Sequence, residues 1–102
     1  MKPCCKTYLD EQFGGDPEII GEIYAEYVNS LQAKLAEGEA MLAAGNWDKL
    51  DKVAHTIKGN ALAVGDSETA ETAIALRNSA KLQCAEDAEA LLSRIRALSA
   101  RL

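Results

Sequence analysis

Trp47-Asp48-Lys49-Leu50-Asp51-Lys52-Val53-Ala54-His55-Thr56-Ile57-Lys58-Gly59-Asn60-Ala61-Leu62-Ala63-Val64-Gly65 is the stretch whose apolar period decides the fold. At about 100° per residue, with His55 set at zero, Val53, Val64, Ile57, Leu50, Ala61 and Ala54 fall on an arc of about 160° to 260°. That arc is one apolar stripe, and its centre lies almost opposite His55. Asp48, Asp51, Lys58, Gly59 and Leu62 share the histidine side. The stretch therefore reads as an amphipathic helix that packs on one face and turns the only histidine of 102 residues toward water or a partner.

Outward from this helix the same period recurs. Asp16-Pro17-Glu18 is a start signal: an N-cap carboxylate, a proline at the first helical position and an acid in the first turn. Ile19, Ile20, Ile23, Tyr24, Tyr27, Val28, Leu31, Leu35 and Leu42 then repeat at helical intervals, so a helix about 40 Å long is expected to reach Ala44. Gly45 ends it and Asn46 can cap the histidine helix, which runs from about Trp47 to Val64 and stops at Gly65, a natural left-handed position. Asp66 or Ser67 can cap a third long helix reaching about Leu82, with Ala70, Ala73, Ile74, Leu76 and Ala80 inward. A last helix from about Glu86 turns Ala88, Leu91, Leu92, Ile95, Leu98 and Leu102 to one side. A candidate short helix covers Thr7 to Phe13, ended by Gly14-Gly15. Short connections make neighbours antiparallel. The expected fold is all-α, an up-down four-helix bundle over residues 16–102 preceded by an N-terminal segment, residues 1–15, that is partly flexible or a short helix.

Composition narrows the function. A chain of 102 residues fits one domain that buries about 60% or somewhat more of its unfolded surface. Eleven basic and sixteen acidic side chains give a net charge of −5, and no segment concentrates the basic ones. Nucleic acid is not the expected partner. The residues before Asp16 include no apolar run long enough for a signal peptide or a membrane span. A cytoplasmic monomer is the expectation. Three cysteines in a chain without a secretory signal suggest reduced thiols. Cys4 and Cys5 fall near a terminus expected to fray, and Cys84 is read as a small core or boundary residue.

An exposed imidazole can act as acid or base, bind a metal or serve as a nucleophile. The cysteines are not spaced with His55 as zinc ligands, and no second histidine completes a site, so no metal is expected. No serine or cysteine is tied to His55 by a recognisable hydrolase motif, and small bundles rarely enclose a dry pocket. A nucleophile remains. Lys58 lies one turn along, where its ammonium can reach an anionic group on the ring. Gly59 lies directly beside the ring, in a position where a mid-helix glycine costs roughly 1 kcal/mol relative to alanine. The missing β-carbon leaves room for something bulky, such as a phosphoryl group with a second protein closing over it.

His55-Thr56-Ile57-Lys58-Gly59-Asn60-Ala61 followed by Gly65 resembles the signature of histidine-containing phosphotransfer (HPt) domains, which relay phosphoryl groups in two-component signalling. Phe13-Gly14-Gly15-Asp16 before the long helix and Gly45-Asn46-Trp47-Asp48 before the histidine helix are also similar to that family's pattern, so the likeness covers nearly the whole chain. It departs at Asn60, where a small residue is usual, at Thr69 and Thr72, where apolar residues are common, and at Arg77, where an acidic residue is common. The departures bear on the packing of the third long helix.

The resemblance implies phosphohistidine at His55, formed on the outer Nε2 atom, with receiver domains of response regulators and a hybrid sensor histidine kinase as partners. No cofactor is expected. The sequence has no Walker-type loop, glycine-rich nucleotide lid or carboxylate cluster for magnesium, so ATP and metal chemistry would belong to partners and this chain would be a phosphocarrier, not an enzyme. Around His55, Lys58 and Gly59 are expected to neighbour the phosphoryl group and Leu62 to help form a docking patch. Asp51 could hydrogen-bond the ring or be an ordinary surface acid. Asn60 could be a site residue or a structural hydrogen-bonder, and Trp47 is read as a packing anchor. Two other functions fit the same residues: a non-transferring adaptor that sequesters receivers, and a kinase-substrate domain of chemotaxis type.

Overall fold

Three of the four interhelical turns are built by one device. In the computed structural model, which describes all 102 residues, Met1–Leu102, the helices are α1 (Pro3–Phe13), α2 (Pro17–Ala43), α3 (Trp47–Ala63), α4 (Ser67–Lys81) and α5 (Ala85–Ser99). After α2, Asn46 N–H donates to Met41 O at 2.9 Å and Gly45 N–H to Leu42 O at 3.0 Å. After α3, Asp66 N–H donates to Ala61 O at 2.8 Å and Gly65 N–H to Leu62 O at 3.3 Å. After α4, Cys84 N–H donates to Ser79 O at 3.0 Å and Gln83 N–H to Ala80 O at 3.1 Å. Each pair is a Schellman closure, which satisfies carbonyls at the helix end and needs a left-handed residue before the last donor. Gly45 and Gly65 supply it at φ of 68° and 74°, and Gln83 at 53°. The residue that closes one helix is also the N-cap of the next: Asn46 accepts from Lys49 N–H at 3.2 Å and Asp66 from Thr69 N–H at 3.4 Å.

With only three residues in each of these turns, successive helices fold back on one another. α2 packs on α3, α3 on α4, α4 on α5 and α5 back on α2, closing a ring of four. The result is the expected all-helical up-down bundle, a rod of 43 × 20 × 19 Å. Its interior holds Leu31 and Leu35 of α2, Leu50, Ala54 and Ile57 of α3, Leu76 of α4 and Ile95 of α5. Burying each leucine or isoleucine contributes about 1.5–3 kcal/mol. No helix is long and apolar enough to cross a membrane.

Ile74, expected inward, is not, and Ile19 of the α2 repeat is also exposed. Ile19 is 45% and Ile74 46% exposed. On α4 the buried side is centred on Thr69, Thr72, Ala73, Leu76 and Ala80, and Ile74 lies about 140° round from Thr69. The threonines take the inward places because their hydroxyls find acceptors at once: Thr72 Oγ1 donates to Glu68 O at 2.8 Å, and Thr69 Oγ1 to Asp66 Oδ2 at 2.8 Å. Gly38 of α2 is also buried. A β-carbon there would lie 3.2 Å from Leu92 and 3.5 Å from Val53, so the glycine lets α2 approach α3 and α5 closely.

The N-terminus is more ordered than expected. α1 starts at Pro3, not Thr7, and buries Cys5 and Leu9 completely. A fully buried carboxylate anchors it. Asp66 accepts from Lys2 Nζ at 2.8 Å, Tyr27 Oη at 2.7 Å and Thr69 Oγ1, while Lys2 N–H donates to Tyr24 Oη at 3.3 Å. Burial alone would raise the Asp66 pKa, but the bonds from Lys2, Tyr27 and Thr69 outweigh it and hold the carboxyl below its ordinary 3.8. Desolvation also opposes the charge of Lys2, yet the Asp66 carboxylate keeps its pKa raised. Burial first, then the neighbouring Cys4 and Asp66, push the Cys5 thiol up to about 12, so Cys5 is held as an unreactive thiol.

A depressed carboxyl pKa stabilises the fold above the unfolded pKa, and that stability is lost as pH falls through the folded value. Asp66→Asn is expected to cost roughly 1.5–3 kcal/mol near neutral pH, because Lys2 and Tyr27 lose a charged acceptor. In urea unfolding the gap between wild type and variant should close as pH drops below 3.8. A gap independent of pH would show that the carboxylate charge contributes nothing. Gly65 faces a second constraint, since a β-carbon would sit 2.5 Å from Tyr8 Cβ of α1, whereas one at Gly45 meets nothing within 4 Å. Gly45→Ala is expected to cost about 1–2 kcal/mol of left-handed strain alone. Gly65→Ala should cost more and expose Cys5 to thiol reagents, and equal losses at the two sites would be the contrary result.

Candidate functional site

The site begins with the α3 stripe. Leu50, Val53, Ala54, Ile57 and Ala61 are all buried, and that fixes the rotation of the helix. His55 is exposed on the opposite side, at mid-helix, where the flanking backbone is tied into the α-helical ladder. The rod presents it on a rigid element, not on a loop.

Around the ring, Gly59 is exposed, and a β-carbon there would have nothing within 4 Å. The space beside His55 is therefore open, and Gly59 is not a packing glycine. Lys58 is partly exposed, one turn from His55, and forms no ion pair within the chain. Leu62 is 53% exposed. It borders an open groove whose other wall is α1, with Cys4, Thr7, Tyr8 and Glu11. Trp47 packs partly buried against the core.

Two of the expected neighbours are engaged elsewhere. Asn60 Nδ2 donates to Ser30 Oγ at 3.1 Å, a bond across the seam between α2 and α3. Asp51 does not bond the ring directly. Its Oδ1 accepts from Arg77 Nε at 2.9 Å, and Arg77 Nη1 lies 3.1 Å from His55 Nδ1. The side chains of Arg77 and Asp51 are each 27% exposed. A guanidinium has donors only, so Nδ1 is the acceptor of this bond.

Arg77 is the site neighbour that sequence reasoning missed. It stands 22 residues from His55, on α4, and reaches the ring only because α4 packs against α3. Its one signal was its departure from the pattern of the resembling family, and that signal said nothing of distance.

No group of three or more histidine, cysteine or acidic side chains is placed to hold a metal ion. The features present are a ring nitrogen held from one side, a second nitrogen without a partner in the chain, an unpaired ammonium one turn away and clear space. Such an arrangement suits an exposed nucleophile that meets a reacting group carried by another molecule.

The chain belongs to the histidine-containing phosphotransfer family: the model of the Hpt domain matches residues 22–102, from within α2 to the end of the chain. Hpt domains are phosphocarrier modules that take part in histidine phosphotransfer in two-component signalling, together with receiver domains and kinases. No curated protein and no solved structure matched the chain.

The open space at Gly59 gives a direct test of local structure. Gly59→Ala should leave the fold intact and stabilise it by about 0.5–1 kcal/mol, the ordinary helical gain over glycine. A loss of stability in thermal or urea unfolding would show that the position is crowded after all.

Proposed function

We propose that this chain carries a phosphoryl group on Nε2 of His55 between receiver-domain aspartates in a multistep phosphorelay. The observation that carries the reading is the exposed His55 ring beside the empty space at Gly59, in a chain of the Hpt family. Nδ1 faces Arg77 whereas Nε2 has no partner within the chain, so Nε2 is the nitrogen an incoming group can reach.

In the step, the guanidinium moves aside, the ring takes the tautomer with its hydrogen on Nδ1, and the Nε2 lone pair attacks the phosphorus of an aspartyl phosphate on the receiver. The N–P bond forms as the P–O bond to the aspartate breaks, and the carboxylate leaves with the electron pair. The ring loses its Nδ1 proton to water, and the reverse sequence loads a second receiver. This chemistry is mostly positioning and charge neutralisation. Lys58 offers the ammonium that offsets charge on the phosphoryl oxygens, Gly59 the clearance for the partner, and Leu62 an apolar contact. ATP and metal ions act in the kinase and receivers, and this chain supplies the nucleophile.

The experiment is incubation with a phosphorylated receiver, followed by a search for acid-labile, base-stable label. His55→Gln should abolish the label, and label persisting in that variant would eliminate the proposal. Gly59→Leu should fold normally yet slow transfer by about tenfold or more, because a side chain beside the ring displaces the incoming group. Receiver binding without any label would point to a sequestering adaptor. Loading by a kinase with ATP and by no receiver would point to a kinase-substrate domain.

A further inference from the structure

The geometry points to Arg77 as a positioning residue that holds the proton of the neutral His55 ring on Nε2 and thereby gates phosphoryl transfer in both directions. This rests on His55 being the phosphoryl acceptor. Arg77 is tethered before it reaches the ring, since its Nε donates to Asp51 Oδ1 at 2.9 Å while Nη1 lies 3.1 Å from Nδ1. The tether runs from α3 to α4 and back to α3, and a planar guanidinium held at one end loses little further freedom in making the second bond.

The direction of that bond is fixed by chemistry. Arginine stays protonated and has no lone pair to offer, so it donates and Nδ1 accepts. A neutral imidazole with a lone pair on Nδ1 carries its hydrogen on Nε2. Yet Nε2 is the atom that must supply an electron pair to phosphorus. Before the N–P bond can form, the ring must take the tautomer with hydrogen on Nδ1, and that hydrogen would point at an N–H of Arg77. The guanidinium therefore has to swing away first, at the cost of one charge-assisted hydrogen bond.

The same contact acts on the product. Once the aspartate carboxylate has left and the Nδ1 proton has passed to water, Nε2-phosphohistidine again has a lone pair on Nδ1, and Arg77 can donate to it. Onward transfer breaks the N–P bond, and the ring takes the electron pair. With a proton on Nδ1 it departs as neutral imidazole; without one it must depart as imidazolate, a far poorer leaving group. Arg77 competes with that proton, so it slows departure as it slows attack. Phosphohistidine is thus held in its long-lived form until Arg77 is displaced.

The test uses the whole chain, wild type beside Arg77→Gln and Arg77→Met. Glutamine can donate its amide to Asp51 and offer its carbonyl oxygen to Nδ1–H, which keeps the link but reverses its sense. Methionine removes it. Nitrogen-15 NMR of the imidazole in alkaline buffer should find wild type as the Nε2–H tautomer alone, Arg77→Met as a mixture and Arg77→Gln shifted toward Nδ1–H. With potassium phosphoramidate as donor and phosphorus-31 NMR as readout, Arg77→Gln should gain and lose phosphohistidine faster, each by about tenfold. A wild-type ring with hydrogen on Nδ1, or a tautomer unchanged in both variants, overturns the gate, as does a shifted tautomer with unchanged rates. Should no receiver exchange label with His55 in any of the three proteins, the carrier reading fails instead, while the tautomer still decides whether Arg77 fixes the ring proton.

Discussion

Burial of the α3 stripe is the constraint on which the rest depends. Leu50, Val53, Ala54, Ile57 and Ala61 can leave water together only if the helix presents one face to α2 and α4, and a helix rotated that way must turn His55 outward. The orientation of the histidine is set by residues on the opposite face of its helix. Its surroundings then sort by the same rotation: Asn60, at the stripe's edge, becomes a link to Ser30, whereas Gly59 is left facing open space.

Asp66 plays the corresponding part at one end of the rod. Its backbone N–H closes α3 and its carboxylate caps α4 and accepts from Lys2 and Tyr27, so one buried residue joins α1, α2, α3 and α4. Breaking one donor would leave charge buried without compensation, which is why such knots hold geometry more firmly than their net energy implies. The anchor is sunk and fully bonded, whereas the histidine is exposed and bonded at a single nitrogen.

The four long helices could be read because their signals are local. Asp16-Pro17, Asn46, Gly45 and Gly65 act within a turn of themselves, and the apolar repeats of α2, α3 and α5 are dense. What escaped the sequence depends on helices meeting. Lys2 and Asp66 are 64 residues apart, Tyr27 and Asp66 are 39 apart, and nothing in either segment marks the other. Thr72 and Ser79 are polar yet buried, because each donates to the carbonyl four residues back and needs no outside partner. Gly38 carries no pattern at all until Leu92 is seen against it. At the site, the exposure of His55 and the gap beside it followed from projection, whereas Arg77 required the packing of α4 on α3.

The tie between Lys2 and Asp66 also bears on the order in which the molecule assembles. Three of the four packed pairs in the ring are consecutive along the chain and close short loops, whereas the α1 anchor joins residues 64 apart and needs the α3 to α4 corner that holds Asp66. His55 is bonded to α4 and not to α1, so a transient departure of α1 would uncover Cys5, Leu9 and the Leu62 end of α3 while leaving the histidine where it stands.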